Sequence, residues 1–158
     1  MTNPAEKFMR EALKEARKAY EKGEIPVGAV VVCGEKVIAR GHNKRAQSGD
    51  IFSHAEVAAL KKAAKKTEDW RLNGCDLFVT LEPCAMCAGA AVNARVRKIY
   101  FGAYDEKSGC CGSAADITKV FMPNHKTEAE GGVLKEECSL LLKDFFAKRR
   151  LENKKEED

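Results

Sequence analysis

The segment from Cys75 to Phe101 constrains the fold more than any other part of the chain. Cys75-Asp76-Leu77-Phe78-Val79-Thr80-Leu81 is an apolar run of strand length, of the kind found in sheets covered on both faces. Pro83 breaks the run, and Cys84 to about Asn93 reads as a helix of small side chains that must lie close to its neighbours. Val96 to Phe101 is a second strand. Strand, crossover helix and strand make a right-handed unit with parallel pairing, so the chain is of the α/β class.

The flanking segments fill in the rest. Asn3 and Pro4 start a helix that runs to about Lys22, with Phe8, Met9, Ala12, Ala16, Ala19 and Tyr20 on one face and Gly23 as the stop. Pro26 to Cys33, a Gly34-Glu35 turn, and Val37 to Gly41 read as a β-hairpin ending at Gly41-His42-Asn43. A polar loop, Lys44 to Phe52, leads to a helix from His54 to about Lys66 with Val57, Leu60, Ala63 and Ala64 facing inward. Gly102 to Asn124 is irregular, with one short helix near Ala114 to Val120, and a last helix spans about Leu134 to Arg150. A hairpin followed by alternating helices and strands gives a mixed sheet in a three-layer α/β/α sandwich. At 158 residues the expectation is one domain, residues 1–151, and a charged, frayed tail at 152–158.

Composition removes several classes. No apolar stretch approaches the roughly 20 residues needed to span a bilayer, and the charged start lacks a signal-peptide run, so the expectation is a cytoplasmic protein without membrane attachment. Seven cysteines, an odd number, read in a reducing compartment as ligands, nucleophiles or core residues rather than as a disulfide framework. The net charge of +4 weakly favours a polyanionic partner, although lysine-rich helix faces are also simply solvated.

Two short stretches carry the chemistry: Ser53-His54-Ala55-Glu56 and Pro83-Cys84-Ala85-Met86-Cys87, each at a helix start. Cys84 and Cys87 are one helical turn apart, so both sulfurs can reach one metal, and the positive helix end favours thiolate. With His54 they make three ligands of the kind zinc takes, leaving a fourth position for a reactive water. Glu56 stands beside that position. Each piece also has a plainer reading. Ser53 and Glu56 fit a capping box, Cys-x-x-Cys serves as a redox dithiol, and a single histidine is commonly a satisfied core residue. Together, His-x-Glu and Pro-Cys-x-x-Cys are the signature of the zinc deaminases. In that chemistry zinc brings the pKa of its water towards roughly 7, the hydroxide attacks the amine-bearing ring carbon, and Glu56 shuttles protons to the ring and the departing amine.

The chain further resembles the bacterial tRNA-specific adenosine deaminases, of the cytidine and deoxycytidylate deaminase superfamily. The residues that carry the resemblance are Ile25 to Val30, Gly41-His42-Asn43, Val79 to Gly89, Tyr100 to Ala103 with Asp105, Gly112-Ser113, Asn124-His125, and Phe145-Phe146 with Arg149-Arg150. It implies a cytidine-deaminase-like fold on a five-stranded sheet, a homodimer, one zinc ion per subunit and no nucleotide cofactor. The implied reaction is attack at C6 of the wobble adenosine in a tRNA anticodon stem-loop, chiefly of an arginine tRNA, to give inosine. By the same analogy Asn43 bonds the flipped base, and Pro26, Val27, Gly28 and Ala85 wall its pocket, while Asp105, Lys107, Asn124, Phe146 and Arg149 contact RNA. Read without it, Asn43 also fits a turn cap, and Phe145 and Phe146 fit a core-facing helix stripe. Two stretches depart from the family pattern. Asp50-Ile51-Phe52-Ser53 replaces Asp-Pro-Thr-Ala, adding bulk beside His54, and Cys110-Cys111 replaces small residues. The alternatives are deamination of a free guanine- or cytidine-type base or nucleoside, and a non-catalytic zinc-stabilised RNA-binding module in which Glu56 is only a cap.

Overall fold

Alternation along the strands sorts the molecule into layers. In the computed structural model, which describes residues 3–120 and 124–157, strand β1 (Gly28–Cys33) turns Ala29 and Val31 to one core and Val30 and Val32 to the other. The hairpin partner is β2 (Lys36–His42), and β3 (Cys75–Leu81) divides in the same way, Leu77 and Val79 against Phe78. Helices α3 (Ala55–Thr67) and α4 (Ala85–Asn93) cover the first core through small residues, among them Ala55, Ala59, Ala88 and Ala91. Helix α1 (Pro4–Glu21) and the last helix, α5 (Lys135–Glu157), cover the second with Phe8, Met9, Leu13 and Cys138. Full burial of side chains such as Met9, Leu13, Leu77 and Ile99 contributes roughly 1.5–3 kcal/mol apiece.

With β4 (Lys98–Ala103) and β5 (Glu128–Glu130), the sheet order is β2-β1-β3-β4-β5. The β1 pairings are antiparallel and those of β4 parallel, so the sheet is mixed and five-stranded, as expected. The Asn3 side chain accepts from the Ala5 amide to start α1. Gly23, at φ 76°, ends it in a Schellman pattern in which Gly23 and Glu24 donate to Tyr20 and Ala19. Glycine is required where the sheet meets its helices: a β-carbon at Gly28 would enter the α1 backbone at Ala12 and Ala16. At Gly41 it would lie 2.6 Å from the Ala55 carbonyl.

Several expectations are corrected. The loop after β2 contains a short helix, α2 (Arg45–Ser48), whose first amides at Ala46 and Gln47 donate to the buried carboxylate of Glu24. Among its described residues, the irregular stretch holds a 3-10 turn, Ile117–Lys119, capped by Asp116, in place of the expected helix near Ala114 to Val120. Helix α5 continues through residues placed in the tail. Val57 and Ala64 are half-buried, because the inward face of α3 is centred on Ala55, Ala59 and Ala63. Cys33 and Cys75 stand opposite each other in the β1–β3 register, Cα atoms 4.5 Å apart, and form a disulfide. Cys110 and Cys111, unexplained by sequence, are buried against the α3–α4 core as small apolar side chains. Among the described residues, no helix is long and apolar enough to cross a membrane.

Candidate active site

The two chemical motifs meet because both helices that carry them start at the same end of the sheet. His54 is the N-cap of α3 and Cys84 the N-cap of α4, and neither side chain accepts a capping hydrogen bond. Both are therefore free to turn towards one point. His54 Nδ1 lies 3.7 Å from Cys84 Sγ and 3.4 Å from Cys87 Sγ, and the three ligand atoms fall within 4.8 Å of one another. Zinc–sulfur and zinc–nitrogen bonds of about 2.3 and 2.0 Å at a tetrahedral angle would separate nitrogen from sulfur by roughly 3.5 Å. The donor set fits such an ion, and Nδ1 is the nitrogen presented to it.

The electrostatics follow from the helix starts. The thiol of Cys84 is drawn down to about 5, first by the hydrogen bond from the Cys87 thiol and then by the backbone amides of Cys87 and Met86. Cys87, the donor of that bond and itself buried, is pushed up. Because His54 and not Ser53 caps the helix, the capping box does not form; the Ser53 hydroxyl accepts from Ser48 instead. Glu56 is left 4 % exposed beside the cluster, and burial raises its carboxyl to about 7.

A cleft of about 380 Å³ opens on His54, Glu56 and Cys84. Val27, Asn43 and Leu81 line it, as do Arg45, Glu82, Asp105 and Ser108. A wider hollow of about 700 Å³ beside β5 holds no grouping of metal-ligating side chains among the described residues, so the smaller cleft is the site. The Asn43 amide donates to the Ile25 carbonyl at 3.4 Å and its oxygen accepts from the Arg45 amide. Pro26 and Gly28 stand behind the wall: Pro26 is fully buried and the Gly28 amide donates to the Thr80 hydroxyl. Ala85 is exposed outside the lining.

Of the five residues expected to meet RNA, only Asp105 lines the cleft. Lys107 and Asn124 are exposed, and Phe146 is 41 % exposed while Phe145 is buried against Tyr20. Arg149 donates to the Gly23 carbonyl at 2.7 Å, tying α5 to the end of α1. The bulk expected beside His54 is solvent-exposed and does not line the cleft: Ile51 and Phe52 are 62 % and 57 % exposed on a turn where the Asp50 carboxylate accepts from the Phe52 amide. Sequence reasoning singled out neither Arg45 nor Ser108, and gave Glu82 no role. A carboxylate immediately before Pro83-Cys84 was the available signal.

The MafB19-like deaminase family matches the chain over residues 3–150. The tRNA-specific adenosine deaminase of Bacillus subtilis (strain 168) is 48% identical over 149 residues, covering 94% of this chain and 92% of the relative. That of Haemophilus influenzae (strain KW20) is 47% identical over 150 residues, covering 94% and 87%. A structure from a study of A-to-I editing by wobble-position tRNA deaminases superposes with a TM-score of 0.79 at 40% identity, covering 86% of this chain and 99% of that one. The guanine deaminase of Nitrosomonas europaea superposes at 0.75 but is only 23% identical, over 93% and 86% of the two chains, which speaks to fold alone. The cluster, the cleft and these matches agree: this chain is a deaminase of the MafB19-like family, alongside the bacterial tRNA-specific adenosine deaminases.

Proposed function

We propose that the protein converts adenosine to inosine at the wobble position of a tRNA anticodon, in the first place that of an arginine tRNA. The observation that carries this is Glu56, a buried carboxylate beside a His-Cys-Cys cluster in a cleft sized for one nucleoside. His54, Cys84 and Cys87 would hold one zinc ion, which when bound supplies the positive charge that makes a water nucleophilic near neutral pH. The chain does the rest. As the water adds to C6, Glu56 takes its proton and gives it to ring N1. It then carries the proton of the new C6 hydroxyl to the amine, which leaves as ammonia, and the carbonyl of inosine remains.

Asn43 orients the base with the amide hydrogen and oxygen lone pair left over from its bonds to Ile25 and Arg45. Val27 lines the wall, which Pro26 and Gly28 support from behind, and Ala85 lies at its outer side. Because the cleft admits a single nucleoside, the rest of the stem-loop must lie outside it. There Phe146 offers a stacking face, Lys107 a charge for phosphate, and Asn124 and Arg149 further polar contacts, while Asp105 meets the RNA from the cleft wall. The names of the relatives, tRNA-specific adenosine deaminases, support this substrate over a free guanine or cytidine.

The working unit in this proposal is a homodimer of one domain each, residues 1–151, with the exposed, charged end of α5 at 152–157 projecting beyond that domain's core. An open, almost wholly apolar groove between α3 and α4, where Leu60, Ala64 and Ala90 meet the exposed Trp70, supports the pairing. Water is the only co-substrate, so no nucleotide cofactor enters, and the substrate places the enzyme in the cytoplasm. Elemental analysis with a turnover assay on an anticodon stem-loop tests the proposal. One zinc per chain is expected, with inosine formation lost on chelation and regained on adding zinc. Full turnover by metal-free protein would refute it.

A further inference from the structure

Glu82 is a buried carboxylate that the deamination chemistry does not use. It is 2 % exposed, and among the described residues it has no cationic partner. A carboxylate out of water must have its oxygens satisfied by hydrogen bonds. Among the described residues, all of its side-chain bonds come from one loop. Oε1 accepts from the Asp105 amide at 3.1 Å and the Ser113 hydroxyl at 2.5 Å, and Oε2 from the amides of Cys111 and Ser113, both at 3.1 Å. Gly109 fits over this carboxylate only because it lacks a side chain; a β-carbon there would enter Glu82 and the Asp105 carbonyl.

The same residue is tied to the sheet and to the metal cluster. Its amide donates to the Ala103 carbonyl at the end of β4, and its neighbour Pro83 accepts from the Cys110 amide at 2.8 Å. Cys84 follows directly. The loop, for its part, brings Asp105 and Ser108 into the cleft, and the Asp105 carboxylate accepts from the Lys107 and Ser108 amides.

We propose that Glu82 is a positioning residue for substrate recognition: its buried charge, solvated by the amides of residues 105–113, fixes that loop as the outer wall of the cleft in register with the metal cluster. This rests on the reading of the cleft as RNA-facing. All four donors require an acceptor, so an amide side chain would set its own NH2 against at least one of them. Contacts made outside the reacting ring are equally strong in ground and transition states, so loosening the loop raises KM and leaves kcat.

Glu82→Gln and Ser113→Ala test this by amide hydrogen exchange, metal content and steady-state kinetics on a stem-loop carrying a wobble adenosine. For Glu82→Gln, exchange over 105–113 should speed by about tenfold or more while β1 and β3 are unchanged, with metal retained. KM should rise about tenfold with kcat within about threefold. Ser113→Ala should shift both in the same direction, by about threefold. Unchanged exchange over 105–113, loss of metal, or a fall in kcat at constant KM would overturn the proposal. If Glu82→Gln does not fold, the Ser113→Ala readouts decide by the same criteria. If the parent protein does not turn over the stem-loop, the substrate reading has failed, and the exchange difference alone decides whether Glu82 anchors the loop.

Discussion

At Glu56 two demands on one position coincide: an acid suits the first turn of a helix, and a buried carboxylate suits proton transfer. The structure separates them, since the cap is His54 and the carboxylate faces the cluster. Glu56→Gln keeps shape and polarity, so we predict normal metal content and stem-loop affinity with kcat lowered by roughly a hundred- to ten-thousand-fold, read in single-turnover assays. A second buried acid, Glu15, governs stability instead. Burial alone would raise its carboxyl, but hydrogen bonds from Lys18 at 2.7 Å and His42 at 3.3 Å outweigh that and hold it below the ordinary range. His42 is held below its ordinary value, first by burial and also by neighbouring Lys22. Both groups have folded pKa values below the unfolded ones, so the unfolded chain binds more protons as pH falls. We predict that urea midpoints fall as pH drops from about 6.5 to below 4.5, and that His42→Gln flattens the upper part of this slope. The triad was legible because ligand type and helical spacing are local properties. The anchoring by Glu82 and the Cys33–Cys75 pairing were not, since both depend on amides or a strand register far along the chain.

Elements with their own signals were legible, and those built by others were not. β3 is a mostly apolar run of strand length and α1 carries both its cap and its stop, so sequence alone located them. β5 is Glu-Ala-Glu, an edge strand with no apolar pattern, ordered by pairing with β4. α2 has its first amides satisfied by Glu24 from another segment. α5 runs on to Glu157 because no glycine or proline follows Arg150, and the Glu- and Lys-rich continuation suits a helix. The close approach of α1 to β1 is the element-scale feature most exposed to mutation. Gly28→Ala should lower the unfolding free energy by about 1–3 kcal/mol, measured by urea titration, because the helix must move off the sheet.

Across the whole molecule, the order β2-β1-β3-β4-β5 brings the end of β3 and the starts of α3 and α4 to one place, and the site lies there. The mixed sandwich followed from the strand-helix-strand unit and the hairpin, while the closeness of the three ligands needed the packing of α3 against α4. Because the ligands come from two helices, metal should brace the fold. Saturating zinc at about a hundred times its Kd contributes roughly 2.7 kcal/mol, so chelation should visibly lower the Tm in scanning calorimetry. The central claim is that the cleft takes an adenosine presented on RNA. The most direct measurement incubates the zinc-loaded protein separately with an anticodon stem-loop bearing a wobble adenosine, with free guanine and with cytidine, and follows products by mass spectrometry. Inosine at the wobble position, with neither small molecule turned over, is the predicted result; turnover of guanine or cytidine with the stem-loop unchanged would contradict it.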